Sequence, residues 1–443
     1  MKNFYLTSLV IACICMTFQN KLTAQVVTTV AGNGTVGAPL NLDSALKAPI
    51  GRPATVYVDK NKNIYYTDIL NHQIRKIDSN GVSVTLAGNL SAGYSGDGGN
   101  ALLASLNEPR SLVVTKKKEV IFCDHLNHCI RKIDSTGVIT RFAGTTVQGF
   151  SGDGGQALLA QFNTPRGIVQ DRLGNFYICD ESNNKIRMIN TLGIVSTVMG
   201  SLPGYSGDGG SAVFAQLNRP TSLSIDQHDQ LYITDANNYC VRKIDSVGIV
   251  STIAGNGINF GFGGDGGNPQ QASFLYISAV SVADNGDVVI ADAGNNRVRR
   301  IRNNVVYTIA GNGLAGFSID GTIASQAQFS VVAGITMDKK RNVYICDQGN
   351  NRIRRLDDYN KITVSINELD DDAPAIWCYK SMLNCNSPLA GKIELYTLDG
   401  KLVQSEHVKK GDNQFTLLTN ATIISFQFKA DNGRLMSGKF LAD

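Results

Sequence analysis

The sequence predicts an all-β protein, a six-bladed β-propeller followed by a small β-sandwich domain. The first observation is an aspartate that ends an apolar run and precedes an asparagine by three residues. It recurs at Asp68, Asp124, Asp180, Asp235, Asp292 and Asp347. The second is the spacing of these aspartates, which is 56, 56, 55, 57 and 55 residues. A fixed long period indicates an array of repeats.

The third observation is that each repeat contains four short strand signals. In the third copy they are Gly167–Gln170, Phe176–Cys179, Lys185–Ile189 and Ile194–Met199. They are rich in Val, Ile, Tyr and Thr and are bounded by turn-forming residues. Four antiparallel strands repeated radially form the blades of a propeller. The strands are apolar on both faces because each blade packs between two neighbours.

Six copies of one motif follow this period: Asp, two residues, Asn, two residues, Ile or Val, then Arg. They run from DILNHQIR at position 68 to DQGNNRIR at position 347. The repeat resembles the NHL family of six-bladed propellers over residues 26–366, and two copies carry the Asn-His pair of that family. Insertions containing GDGG resemble those of bacterial NHL proteins and of the teneurin propeller.

The ends of the propeller are predicted to meet. Val26–Gly32 matches the fourth strand of a blade, but no first three strands precede it. The last repeat, Val332–Leu356, supplies only three strands, so we expect the N-terminal strand to complete it and to leave no open sheet edge. Ile362–Ile366 is an alternative occupant of that edge.

Residues 1–24 have the composition of a secretory signal peptide. Lys2 precedes a mostly apolar run from Phe4 to Phe18, and Leu22-Thr23-Ala24 provides a cleavage site before Gln25. A lipoprotein signal ending at Cys13 is the alternative, disfavoured because the apolar run continues beyond that cysteine. No other long apolar run occurs, so we expect no transmembrane segment.

Charge and cysteine usage narrow the function further. Without residues 1–24 the chain holds 39 basic and 37 acidic side chains, and this near-neutral balance gives no support for nucleic-acid binding.

Five cysteines recur at two apolar repeat positions. This recurrence indicates residues of the apolar core, and their spacing is not that of a zinc site. They are Cys123, Cys179, Cys346, Cys129 and Cys240. Cys378 and Cys385 are close together in an exported chain and are predicted to form a disulfide.

Insertions of about 20 residues separate the blades and contain aspartates that are candidate ligand-binding residues: Asp97, Asp153, Asp208 and Asp265. Glycine with carboxylate is compatible with Ca²⁺, but the EF-hand ladder is absent and no metal site is predicted. The favoured interpretation is structural, with Asp capping a following helix of one or two turns or accepting loop N–H groups. The recurring arginine (Arg187 in the third copy) is expected to pair with a nearby Asp.

Chain topology places these insertions and the Asp-x-x-Asn turns on one face, where binding usually resides. Polar residues next to the proline that starts an inner strand should ring the channel mouth there. They are Asn107, Arg110, Asn163, Arg166, Asn218 and Arg219. This set suits an acidic or carbonyl-rich ligand. No nucleophile–base pair and no catalytic residue is identified.

Residues 367–374, NELDDDAP, form an acidic linker after the propeller at 25–366. Residues 375–443 lose the period and alternate like a small β-sandwich. The hairpin IELYTLDGKLV and the terminal strand–turn–strand resemble the C-terminal sorting domain of type IX secretion. That resemblance implies export across the outer membrane through that machinery.

The sequence therefore predicts a monomeric, secreted or surface-displayed module that binds a protein or glycan ligand without a cofactor. The alternative is a hydrolase or lyase of the gluconolactonase-like group of six-bladed propellers. That group holds a divalent metal at the channel mouth, and none of the inner strands begins with a carboxylate or a histidine.

Overall fold

The structure, a computed structural model, describes residues 25–38 and 41–357 of the propeller region. In the C-terminal region it describes 375–379, 382–387, 391–396, 402–409, 411–416, 423–431 and 435–441. The described propeller unit begins at Gln25. Its boundary toward the predicted linker falls within residues 358–374, outside the described residues.

Six antiparallel sheets surround one axis, as predicted. Two short strands come first, β1 (Val27–Ala31) and β2 (Asp43–Ser44). Blade 1 holds β3 (Pro53–Val58), β4 (Ile64–Asp68), β5 (Gln73–Ile77) and β6 (Val82–Ala87). Blade 2 holds β7 (Pro109–Val114), β8 (Val120–Asp124), β9 (Cys129–Ile133) and β10 (Ile139–Ala143). Blade 3 holds β11 (Pro165–Gln170), β12 (Phe176–Asp180), β13 (Lys185–Ile189) and β14 (Val195–Met199).

The remaining blades repeat this arrangement. Blade 4 holds β15 (Pro220–Ile225), β16 (Leu231–Asp235), β17 (Cys240–Ile244) and β18 (Val250–Ala254). Blade 5 holds β19 (Ile277–Val282), β20 (Val288–Asp292), β21 (Arg297–Arg302) and β22 (Val305–Ala310). Blade 6 holds β23 (Val332–Met337), β24 (Val343–Asp347) and β25 (Arg352–Leu356). The predicted strands of the third copy differ from β11–β14 by at most two residues at an end.

β1 closes the ring. It pairs antiparallel with β25, with Val27 opposite Leu356 and Thr28 opposite Arg355, so blade 6 is completed by the N-terminal strand. The backbone N–H of Val27 also donates to the carbonyl of Thr322 at 3.0 Å. The predicted closure is confirmed, and Ile362–Ile366 lies outside the described residues.

The apolar core lies between neighbouring blades. One cluster joins Ile121 and Cys123 of blade 2 to Ile168 and Ile178 of blade 3. The five repeat cysteines are buried and free, which confirms their interpretation as core residues. Burial raises the pKa of Cys123 well above its ordinary value.

The insertions contain one turn of helix, within the one or two turns expected, and its type is 3₁₀. These turns are Ala101–Leu103, Ala157–Leu159, Ala212–Phe214, Pro269–Gln271 and Ala324–Gln326. Their N-caps are the residues just before them, and Asn100, for example, accepts from the N–H of Leu102. The expectation that the GDGG aspartates cap these turns is therefore wrong, because the cap position lies nearer the turn. Further 3₁₀ turns follow the Asp of five motifs: His125–Asn127, Glu181–Asn183, Ala236–Asn238, Ala293–Asn295 and Gln348–Asn350.

The described residues of the C-terminal region form two antiparallel sheets. One has β26 (Ala375–Tyr379), β27 (Met382–Ser387) and β30 (Gly411–Thr416). The other has β28 (Gly391–Tyr396), β29 (Leu402–Val408), β31 (Ile423–Ala430) and β32 (Leu435–Leu441). The described elements of this region are all strands, which agrees with the predicted all-β class.

The two cysteines predicted to pair lie on a hairpin and not in a loop. Cys378 is opposite Leu383, and Cys385 is opposite Ile376. The residue opposite Cys385 is thus two positions from Cys378 along the same strand. Because strand residues two positions apart share a face, the two cysteines lie on the same face of the hairpin. Their side chains lie outside the described part of the chain, so the disulfide stays a prediction.

Ring closure predicts a sharp penalty for a charge in β1. Val27 is fully buried between blades 5 and 6, whereas Val36 in the following loop is 52% exposed. We expect Val27→Asp to lower the free energy of unfolding by at least ~3 kcal/mol, because an unpaired carboxylate enters the core. Val36→Asp, the control, should change it by less than ~0.5 kcal/mol. Equal effects in chemical denaturation would show that β1 does not complete blade 6.

Candidate functional site

Each Asp-x-x-Asn turn is held by its own aspartate. In blade 3, Oδ1 of Asp180 accepts the backbone N–H of Asn163 at 2.7 Å. Its Oδ2 accepts Nδ2 of Asn183 at 2.8 Å, and that same Nδ2 donates to the carbonyl of Gly149 at 2.8 Å. The turn therefore ties the end of the second strand to the insertion and to the start of the inner strand. This confirms that both loop types share one face.

The recurring arginine lies beneath this turn and is fully buried. Arg187 lies 2.7 Å from Oδ1 of Asp153 in the GDGG insertion and 3.3 Å from Oδ2 of Asp180. It also donates to the carbonyl oxygens of Ser151 and Gln161. A buried guanidinium needs such partners, and removing one side of a buried pair costs about 3–5 kcal/mol. The same pairing occurs at Arg131–Asp97, Arg242–Asp208, Arg299–Asp265 and Arg354–Asp320.

The predicted arginine–aspartate pairing is thus confirmed in five blades. In blade 1, Arg75 donates to the hydroxyls of Thr85 and Ser83. An aromatic ring covers each of the five paired arginines, as Phe150 covers Arg187 with the guanidinium carbon 4.7 Å from the ring centroid. The hydroxyl of Tyr94 also donates to Asp97. The GDGG aspartates therefore anchor their insertions and do not line the central channel.

The central channel is a cavity of about 750 Å³ lined by inner strands of all six blades. Its mouth on the loop-rich face carries four arginines, Arg52, Arg110, Arg166 and Arg219. The sequence predicted the last three. Asn107, Asn163 and Asn218 do not line the cavity, and their backbone N–H groups donate to the turn aspartates.

Glu181 joins two of these arginines. Its side chain is nearly fully buried, and Oε1 lies 3.1 Å from NH1 of Arg166 and 2.7 Å from NH2 of Arg219. Burial acts to raise the pKa of Glu181, but Arg166, His125 and Arg219 outweigh it, so its pKa is held below the ordinary value. Arg166 also donates to the hydroxyl of Tyr276 at 3.0 Å.

Arg110 and Arg52 are less fully engaged. Arg110 contacts the partly exposed Glu108 at 3.0 Å, and its buried Nε has no hydrogen-bond partner among the described residues. Burial, and then the charge of Arg166, lower the pKa of Arg110. Arg52 donates to Oε1 of Gln348 at 3.2 Å, and no acidic side chain lies within 4.0 Å of it in the described part of the chain.

A strained backbone position occurs in each blade next to the mouth of the channel. The residue just before each inner strand has a positive φ, 58° at Arg52 and 55° at Arg219 for example. In five blades its N–H is accepted by a side chain from the neighbouring blade. The acceptor is Nδ1 of His72 for Glu108 and Oδ1 of Asn184 for Arg219. The Asn-His pair of the motif therefore fixes one blade's mouth residue to the next blade, which is a structural role.

His125, Glu181, Tyr276, Arg52 and Gln348 are mouth residues that the sequence analysis did not select. Three of them follow the motif aspartate directly, at a position that the topology already assigned to this face. That repeat position is the signal in the sequence that identifies them. Among the described residues, no group of three or more His, Cys, Asp and Glu side chains is arranged to hold a metal.

His125, at the mouth, makes the stability of the fold depend on pH. Its ring Nδ1 lies 3.2 Å from the carbonyl oxygen of Pro165, and burial, reinforced by Arg110, lowers its pKa from 6.5 to about 4. As the pH falls, the unfolded chain therefore protonates His125 before the folded chain does. The contribution of neutral His125 to the free energy of unfolding is complete above pH 6.5. It is lost as the pH falls toward about 4.

We expect wild-type stability to fall, relative to His125→Gln, by on the order of 3 kcal/mol between pH 6.5 and pH 4. Chemical denaturation at a series of pH values measures this difference. His228→Gln, at an exposed turn on the other face, should keep the wild-type profile. An unchanged pH profile in His125→Gln would contradict the assignment.

Comparison with known proteins supports the repeat assignment. The Teneurin NHL domain model matches residues 147–206 and 202–260, and the NHL repeat model matches residues 274–301. Teneurin-1 of Homo sapiens is 30% identical over 235 residues, which is 47% of this chain but 8% of teneurin-1. NHL repeat-containing protein 2 of Gallus gallus is 26% identical over 74% of this chain and 50% of its own length. The chain thus spans half or less of these relatives.

Two solved structures from Bacteroides thetaiotaomicron share the fold, each over 75% of this chain and 76% of its own. One is a structural genomics protein of unknown function, with a TM-score of 0.56 and 19% identity. The other is an auxiliary nutrient binding protein, with a TM-score of 0.56 and 16% identity. At these identities the likeness concerns the fold alone. The repeat period, the six closed sheets and the family matches agree that this chain carries NHL repeats forming a six-bladed β-propeller.

Proposed function

We propose that the chain is an exported binding module that holds a protein or glycan ligand at the arginine-lined mouth of its propeller. The observation that carries this proposal is the charge of that mouth, where, among the described residues, four arginines have two acidic partners between them, Glu108 and Glu181. The excess of positive charge favours an acidic or carbonyl-rich group of the ligand.

Arginine suits this task because its planar guanidinium makes forked hydrogen bonds to carboxylate groups. Arg166 and Arg219 are committed to Glu181, so they shape the site and hold its charge. Arg52 and Arg110 line the channel and are less committed to acidic partners, since Arg110 contacts one partly exposed glutamate and Arg52 contacts none in the described part of the chain. Their guanidinium groups can therefore donate to a ligand oxygen at the mouth.

The shape of the site also fits a binding role. A cavity of about 750 Å³ lies within the range of small-molecule pockets and admits a side chain, a chain terminus or a few sugar units. A protein of the same fold is described as an auxiliary nutrient binding protein, which is this class of activity. No observation favours the hydrolase or lyase alternative, because both glutamates at the mouth are already paired with arginines.

The test uses calorimetric titration of the full chain with citrate and with triglutamate as carboxylate probes. We expect the wild type to bind at least one probe. Arg52→Gln/Arg110→Gln should bind it at least tenfold more weakly, because each lost charged hydrogen bond is worth ~1.5 kcal/mol or more. Neither residue supports a buried carboxylate, so the fold should be kept.

Arg141→Gln is the matched control, since this arginine lies on the outer strand β10 and does not line the channel. Its affinity should equal that of the wild type. Absence of binding of both probes to the wild type, or equal binding by the double variant, would overturn the proposed site.

Export is part of the same proposal. It is supported by the signal-peptide composition of residues 1–24 and by the resemblance of residues 375–443 to a type IX sorting domain. The short antiparallel strands β26–β32 agree with the all-β character of such a domain. In the described residues no helix is long and apolar enough to cross a membrane.

We expect a chain that lacks residues 375–443 to be retained inside the cell envelope of its native host. Immunoblots of medium, surface and envelope fractions measure this, with the full chain as the reference. Normal arrival of the truncated chain at the surface or in the medium would show that these residues are not a sorting signal.

A further inference from the structure

A second pocket of about 750 Å³ lies on the opposite face of the propeller, among the first-to-second-strand turns of blades 6, 1 and 2. We call it the lysine pocket. Seven lysines line it: Lys60, Lys62, Lys76, Lys116, Lys118, Lys339 and Lys340. Within the described part of the chain, its acidic lining residues are Asp59 and Asp338.

These two aspartates are held by their own turns and form no ion pair with the lysines, and their charges offset only two of the seven positive charges of the lining. Oδ1 of Asp59 accepts the backbone N–H groups of Asn61 and Asn63 at 2.9 Å, and Oδ2 accepts Nδ2 of Asn63 at 2.7 Å. Asp338 is held in the same way by its own turn. Across the described residues, none of the seven lysines lies within 4.0 Å of a carboxylate oxygen.

The charge is confined to one half of this face. The turns 59–63, 115–119 and 338–342 carry eight basic and three acidic side chains. The corresponding turns 171–175, 226–230 and 283–287 of blades 3, 4 and 5 carry one basic and five acidic side chains. Such separation attracts and orients an anionic ligand toward the lysine half.

The walls of the pocket are less polar than its rim. Tyr57 and Tyr65 form an edge-to-face pair with ring centroids 6.3 Å apart, and Nζ of Lys76 lies 5.7 Å from the Tyr65 ring. Val58 and Met337 complete the apolar wall. An aromatic and aliphatic wall under a cationic rim fits a sugar ring, whose apolar C–H face and charged substituents point in different directions.

We propose that the lysine pocket binds an anionic glycan, that is, a saccharide chain with carboxylate or sulfate groups. A concave pocket of this volume holds a few sugar units but does not match a flat lipid surface. Lysines act as point charges and do not need the planar geometry that selects arginine. The pocket shares Tyr57, Val114 and Lys116 with the channel lining but none of the mouth arginines, which lie toward the other face, so this proposal does not rest on binding at the mouth.

The test measures binding of the full chain to a heparin hexasaccharide, a hexagalacturonate and neutral maltohexaose. We expect at least one anionic hexasaccharide to bind, more weakly as salt concentration rises, and maltohexaose not to bind. The first two probes distinguish sulfate from carboxylate. Lys60→Gln/Lys118→Gln/Lys340→Gln, with one change in each blade, should weaken binding by about tenfold or more.

The matched control removes the same charge elsewhere: Lys47→Gln/Arg141→Gln/Lys243→Gln, none of which lines the pocket. It should retain wild-type affinity, and Arg52→Gln/Arg110→Gln should retain it as well. Three results would overturn the proposal. They are no binding of either anionic hexasaccharide, equal losses in the two triple variants, and tighter binding of a single-stranded oligonucleotide or of phosphatidylserine vesicles than of either saccharide.

Discussion

The rest of this propeller depends on a buried arginine held between two carboxylates. Arg187 shows the arrangement, with Asp180 from the second strand on one side and Asp153 from the insertion on the other. Burial raises the pKa of Asp180 to about 6, against the effect of its hydrogen bonds and of Arg187. All its contacts are donors, so the ionised form fits the geometry. Removing one member would leave the charge of another unpaired in the core. Detaching the insertion from the blade therefore carries a large free-energy penalty.

This arrangement also determines where the channel mouth lies. The aspartate that meets the arginine accepts the N–H of the residue two places before the inner strand, as Asp235 does from Asn218. The next residue then takes a positive φ, fixed in five blades by a side chain of the neighbouring blade. The side chain at that residue lines the channel in four blades, and the second residue of the inner strand lines it in all six. They differ from blade to blade, whereas the supporting residues repeat.

The sequence was sufficient to predict the propeller because the period, the strand signals and the orphan strand Val26–Gly32 each impose a separate geometric constraint. The site was only partly predictable. Arg110, Arg166 and Arg219 were found from the inner-strand starts, but Glu181 and His125 come from a turn that meets the mouth only through tertiary packing. The exposed Asp153 looked available for a ligand, yet both of its oxygens are occupied, by Arg187 and by Thr197. Such occupancy depends on residues more than 30 positions away.

The two faces of the propeller present cations in different ways, and the difference has consequences for selectivity. At the mouth, Arg166 and Arg219 are fixed by Glu181, so a ligand meets preorganised guanidinium groups in a partly enclosed channel. Preorganised forks favour one group of defined geometry. In the lysine pocket the ammonium groups are exposed and have no internal acidic partner in the described residues, so each contact is weak and screened by salt. Affinity there must come from several charges acting together, which a ligand with repeated anionic groups supplies and a single carboxylate does not.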